Sequence, residues 1–126
     1  MIVGLGMDLV DIKRLTKSYE RHGQHFAAHI LTPTELAAMP AGRPGEYLAA
    51  RFAAKEAGAK ALGTGFSGGV SFQDFEVAKD TLGKPLLTLR GRALEEATRL
   101  GTNRVHLSLT HSLENAGAVV ILESDT

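Results

Sequence analysis

Cysteine is absent from the 126 residues, which excludes disulfides, thiolate nucleophiles and cysteine-held zinc or iron–sulfur clusters. Neither sign of charge prevails. Fourteen Lys and Arg stand against fourteen Asp and Glu, without the positive excess that a general nucleic-acid binder uses to engage phosphates. No apolar run approaches the roughly 18–20 residues of a membrane-spanning helix. The opening MIVGLGMDLV has no basic leader or cleavage site and meets an acid at Asp8. What is present is a hydrophobic fraction of 44%, enough for a core, in a length that fits one domain, residues 1–126. The expectation is a small cytoplasmic protein with no nucleic-acid or membrane partner.

Residues 2–10 alternate as a strand, with Val3, Leu5, Met7 and Leu9 on one face and Ile2, Gly4, Gly6 and Asp8 on the other. The second face is stripped of side chains just before a carboxylate, which marks a bend or a close approach by another backbone or a ligand. From Asp11 to about Leu31 the pattern turns helical, with Leu15, Tyr19, Phe26 and Ile30 apolar. Lys13, Arg14, Lys17 and Arg21 outnumber Asp11 and Glu20 there, leaving a locally basic segment that is either a solvated face or a dock for an acidic partner. Thr32-Pro33-Thr34-Glu35 predicts a helix start with Thr32 and Glu35 as a capping box, and residues 40–45 a loop.

A longer helix is predicted from about Glu46 to Leu62, stopped by a C-cap glycine at Gly63, with Leu48, Phe52, Ala59 and Leu62 as its apolar stripe. Glu56 borders that stripe. Lys60 lies one turn above it, so the plain reading of the two is an i,i+4 ion pair. Residues 63–69, GTGFSGG, form a glycine-rich loop able to present backbone N–H groups to a phosphate. It matches neither the P-loop nor the dinucleotide-binding fingerprint. Strands are predicted over Phe72–Val77, Pro85–Leu89, Val105–Ser112 and Ala116–Leu122, with a helix over Gly91–Leu100. His111 ends the Val105, Leu107, Leu109 row and reads, on spacing alone, as a core histidine.

Asp8 and Glu56 are hard oxygen donors suited to Mg²⁺, Lys60 can neutralise a phosphate, and the glycine loop follows directly. Together they describe a site for metal-assisted transfer at a phosphate ester or anhydride. The chain resembles the holo-acyl-carrier-protein synthases, the small stand-alone type of 4′-phosphopantetheinyl transferase. The resemblance rests on VGLGMDLVDIKR at residues 3–14, RFAAKEAGAKALGTG at 51–65 and LSLTHSLENAGAVV at 107–120, linked by HILTPTEL at 29–36 and GKP at 83–85.

That resemblance implies an α+β fold, an antiparallel sheet packed with helices, assembled as a homotrimer with sites between subunits. It implies transfer of the 4′-phosphopantetheine arm of coenzyme A to a serine of apo-acyl carrier protein, with release of adenosine 3′,5′-bisphosphate, a step of fatty acid biosynthesis. Asp8 and Glu56 match the family's Mg²⁺ ligands, and Glu56 and Lys60 its catalytic pair. The base for the serine is Glu56 or a water on the metal. For coenzyme A the resemblance points to Arg51, Lys55 (in a supporting role), Gly63, Thr64, Gly65, Pro85, Thr110 and His111. For carrier docking it points to Arg14 and Arg21. Lys17, His22 and His25 stand where relatives often have arginine. The rival readings are a non-catalytic module binding an acidic protein through the basic helix, and a Mg²⁺-dependent hydrolase of a nucleotide diphosphate.

Overall fold

β1 (Ile2–Asp11) leads into α1 (Ile12–Ile30), the short α2 (Pro33–Ala37) and the long α3 (Pro44–Leu62). A hairpin of β2 (Phe75–Lys79) and β3 (Pro85–Leu89) follows, then α4 (Gly91–Arg99), β4 (Arg104–His111) and β5 (Asn115–Glu123). These elements come from a computed structural model that covers residues 1–126. A three-stranded antiparallel sheet runs in the order β1-β5-β4, and β2-β3 forms a separate two-stranded sheet. The expected α+β class, an antiparallel sheet packed with helices, is the one observed. No helix is long and apolar enough to cross a membrane.

α3 is the axis of the core. The sequence pattern predicts a single apolar stripe, yet Leu48, Ala49, Ala53, Ala54, Ala57, Ala59 and Leu62 are all buried, almost all the way round. The small alanines let the sheet close on one side while α1 and β2 pack on others, so the helix needs no polar face over most of its length. The stripped face of β1 is what meets it. A Cβ on Gly6 would overlap the carbonyl oxygen of Ala57, and one on Gly4 that of Ala61. The visitor expected beside these glycines is therefore the backbone of α3. Its contact fixes the height of β1, and hence of Asp8, along the helix.

The opposite face of β1 is apolar and uncovered in the single chain: Leu5, Met7 and Leu9 are 65%, 67% and 70% exposed. In register they lie beside Ile121, Val119 and Gly117 of β5, and these in turn beside His106, Ser108 and Thr110 of β4.

Thr32 and Glu35 form the predicted capping box, and Gly63 ends α3 in the left-handed region at φ 82°. Two expectations are corrected. The helix predicted over 11–31 is broken at Gly23, whose φ of 56° and ψ of −136° redirect the chain. The break lets Ala27 and Ile30 of the second half reach the core. Of the predicted strand 72–77, Phe72–Asp74 is instead a 3₁₀ turn capped by Ser71 and Asp74.

Candidate active site

The contact of β1 with α3 brings Asp8 to the last turns of the helix. Lys60 Nζ lies 3.1 Å from Asp8 Oδ1 and donates to the Met7 carbonyl at 3.1 Å. The local i,i+4 pairing of Lys60 with Glu56 is thus replaced by a bond 52 residues away in sequence. Glu56 stays close to the same group. Its pKa is raised first by burial and then by the charge of Asp8, against the opposing pull of Lys60 and Arg14. A carboxylate whose ionisation is made costlier by a second one nearby is relieved by a cation placed between them.

The donor chemistry fits Mg²⁺. No cluster of three or more His, Cys, Asp or Glu exists in the molecule. Two hard carboxylates suit an ion that keeps several waters and completes its shell with substrate phosphate oxygens. Asp8 and Glu56 are the residues that would hold it. The glycine loop starts where α3 ends, with Gly63 and Gly65 both at positive φ and the Gly65 N–H donating to Ala59 O at 3.1 Å.

Arg14 connects this cluster to the basic helix. Its guanidinium lies 5.4 Å from the Phe52 ring centroid and contributes to the field at Glu56. Phe52 stacks on Phe72 and Phe72 on Phe66, with centroids 5.5 and 4.2 Å apart. This aromatic floor between α1 and the glycine loop was not foreseen, because its members lie 6 to 20 residues apart in the sequence. Lys13, Arg14, Lys17, Arg21 and His22 line one open basic depression on α1, so both expected docking arginines share a surface.

The second group of expected residues converges elsewhere. Arg51, Pro85, Thr110 and His111 line one cavity of about 430 Å³. Arg43 and Lys79, which the sequence reading missed, line it too. His111 is exposed at the end of β4, not buried in the core. Asp8, Glu56, Lys60, Gly63, Thr64 and Gly65 take no part in this cavity. The reason is helical geometry: Glu56 follows Arg51 by five residues, about 500° of turn at ~100° per residue, so the two leave α3 about 140° apart.

Lys55 is the expected site residue that the structure places inside the core. It is fully buried. Its ammonium lies 2.6 Å from Glu35 Oε1 and donates to the Ile30 carbonyl at 2.7 Å. Glu35 also accepts from the Thr32 and Val77 N–H groups, at 2.8 and 2.6 Å. This ion pair ties α3 to α1, α2 and β2, so the ammonium is spent inside the fold.

Residues 4–116 match the 4′-phosphopantetheinyl transferase superfamily. The chain belongs to the holo-acyl-carrier-protein synthases. A curated member from Nitratidesulfovibrio vulgaris (strain Hildenborough) is 52% identical over 124 residues, covering 98% of this chain and 100% of that one. The synthase structure from Neisseria meningitidis aligns with a TM-score of 0.88 at 46% identity, covering 98% of this chain and 100% of that chain. A holo-acyl-carrier-protein synthase from Bacillus anthracis, solved in complex with CoA (3′,5′-ADP), aligns with a TM-score of 0.82 at 41% identity and 99% coverage of both chains. As a member of this family the chain is a 4′-phosphopantetheinyl transferase.

Proposed function

We propose that the protein transfers 4′-phosphopantetheine from coenzyme A to a serine hydroxyl of apo-acyl carrier protein, in the cytoplasm and in the service of fatty acid biosynthesis. The serine hydroxyl gives its proton to Glu56 or to a water, and its oxygen bonds to the phosphorus that carries the pantetheine arm. The diphosphate P–O bond breaks, and adenosine 3′,5′-bisphosphate leaves with the bridging oxygen. The observation that carries this reading is the meeting of Asp8, Glu56 and Lys60 where β1 crosses α3. Mg²⁺ bound between the carboxylates would supply positive charge against the diphosphate. Lys60, half-exposed beside Asp8, is positioned to offset the charge that develops on the leaving phosphate oxygen. The Gly63 and Gly65 N–H groups are committed to the Lys60 and Ala59 carbonyls, so the turn of Gly63, Thr64 and Gly65 serves the phosphates by close backbone approach, with the Thr64 N–H as its donor.

The nucleotide end is assigned to the cavity of Arg51, Pro85, Thr110 and His111. Arg51 Nε is buried without a hydrogen-bond partner. A buried, unpaired guanidinium is costly unless an anion completes it. The two halves of the site lie on different sides of α3, so a complete site calls for the catalytic half of one copy facing the nucleotide half of another. The exposed Leu5, Met7 and Leu9 row gives an apolar surface for that packing. A homotrimer with sites between subunits accommodates both features. Arg14 and Arg21 dock the acidic carrier protein, steering its approach by charge.

The test is turnover of Asp8→Ala and Glu56→Ala with coenzyme A, Mg²⁺ and apo-carrier protein. Both variants should remain folded by circular dichroism and lose transfer and metal-dependent coenzyme A binding. Full activity in either one removes the proposed metal pair. Release of adenosine 3′,5′-bisphosphate without a carrier would instead identify a hydrolase.

A further inference from the structure

Tyr47 is not among the residues expected at the site, yet it governs the one buried cation that faces the nucleotide cavity. Tyr47 and Arg51 stand one turn apart on α3, at the i,i+4 spacing that puts side chains in contact. The Arg51 guanidinium carbon lies 3.7 Å from the Tyr47 ring centroid, close stacking for a cation on an aromatic face. The ring is fixed at both ends. Its Cα belongs to α3, and its hydroxyl donates to the Glu35 carbonyl of α2 at 2.6 Å. Glu35 is itself immobilised by Lys55, Thr32 and Val77. Burial raises the Tyr47 pKa, so the hydroxyl remains a neutral donor.

Arg51 has lost most of its freedom on that platform. It is 9% exposed, lines the cavity and keeps an unpartnered Nε. Arg43 and Lys79 add positive charge to the same walls, and the only acid among the lining residues, Glu46, is bonded to Arg43 at 3.2 Å. Coenzyme A carries a diphosphate and one further phosphate, on the ribose 3′ oxygen. With the diphosphate assigned to Asp8, Glu56 and Lys60, the 3′-phosphate is the anion left for this cavity. We propose that Tyr47 is a positioning residue that holds the Arg51 guanidinium in place for the 3′-phosphate and so sets the preference for coenzyme A over 3′-dephospho-coenzyme A. The inference rests on the nucleotide assignment made under Proposed function.

The experiment measures kcat and KM for both substrates in Arg51→Ala, Tyr47→Leu, Tyr47→Phe and the Arg51→Ala/Tyr47→Leu double variant, with direct titration of adenosine 3′,5′-bisphosphate and 5′-AMP as a readout independent of turnover. Tyr47→Leu should raise the KM for coenzyme A about tenfold, the loss of about 1.4 kcal/mol of binding. It should leave kcat and the KM for the dephospho substrate within about twofold, and bisphosphate binding should weaken by the same factor as KM. Tyr47→Phe keeps the ring and should give a smaller rise in the same direction. In the Arg51→Ala background Tyr47→Leu should add nothing. Equal losses for both substrates, a fall in kcat alone, or additive effects in the double variant would overturn the role. If Arg51→Ala separates the two substrates and Tyr47→Leu does not, the positioning role fails and the nucleotide assignment stands. If Arg51→Ala does not separate them, both fall.

Discussion

Replacing Gly6 with alanine adds one methyl group, and the structure says where it must go. The new Cβ would overlap the Ala57 carbonyl oxygen and lie 2.7 Å from Ala61 N, both of them backbone atoms of α3 that cannot swing aside. β1 must therefore retreat from the helix. Overpacking of this kind costs about 1–3 kcal/mol. At about 2.1 cal/mol/K of unfolding entropy per residue, each kcal/mol lowers the midpoint of a domain this size by about 4 °C. The predicted loss is then about 4–12 °C, read by thermal denaturation at fixed protein concentration. Activity should suffer more. Asp8 is two residues along the same strand and 3.1 Å from Lys60. A displacement of about 1 Å at reacting groups costs on the order of 100-fold in rate. Gly42→Ala is the control, since a Cβ there meets nothing within 4 Å. Its midpoint should stay at the parent value; it is a control for stability only, since Gly42 lines the Arg51 cavity. If Gly6→Ala matches the parent in both measurements, β1 does not owe the placement of Asp8 to the glycine contact.

Three further outcomes follow from the same geometry. Glu35→Gln leaves the Lys55 ammonium buried without a counter-charge and should destabilise the fold by about 3–5 kcal/mol in urea denaturation, whereas adding Lys55→Met to Glu35→Gln removes the uncompensated charge and should recover part of that loss. Unchanged stability in Glu35→Gln would contradict the buried pair. Arg14→Glu should raise the KM for the carrier protein steeply at low salt and less at high salt. A salt-independent effect would argue against charge steering. The Glu123 pKa is lowered to about 2 by its bonds to Arg104 and then His106. Its folded value lies below the unfolded one, so its stabilising contribution is complete above the ordinary glutamate range and fades as pH falls toward 2. Stability followed through acid should therefore fall less steeply in Glu123→Gln than in the parent, and parallel curves would refute the assignment.

How much of this was legible in the sequence depends on how far each interaction reaches. The Thr32–Glu35 capping box and the Gly63 C-cap are closed within a few residues, so spacing sufficed. The glycines of β1 announced a close approach without saying what would approach, because α3 lies some fifty residues on. The break at Gly23 was hidden by apolar positions that keep helical spacing on both sides of it, though a glycine in mid-helix was the available signal. Glu56 and Lys60 read as a local pair because Asp8, the true partner of Lys60, is brought in only by folding. Lys55 shows the reverse error. Its place beside Glu56 in the matched motif suggested a substrate contact, while Glu35, 20 residues earlier, claims it for the core. Arg51 and Glu56 share a single motif yet point to opposite sides of α3. Only the helical projection, together with the fold around it, shows that they face different sides of the helix.

The most direct test of the account is intact-mass measurement of apo-acyl carrier protein after incubation with this protein, coenzyme A and Mg²⁺, beside a parallel sample containing EDTA. The account predicts a mass gain of one phosphopantetheine group on the carrier, absent with EDTA and absent when Glu56→Ala replaces the parent protein. An unmodified carrier in the Mg²⁺ sample, from a folded protein and a competent carrier, would contradict it.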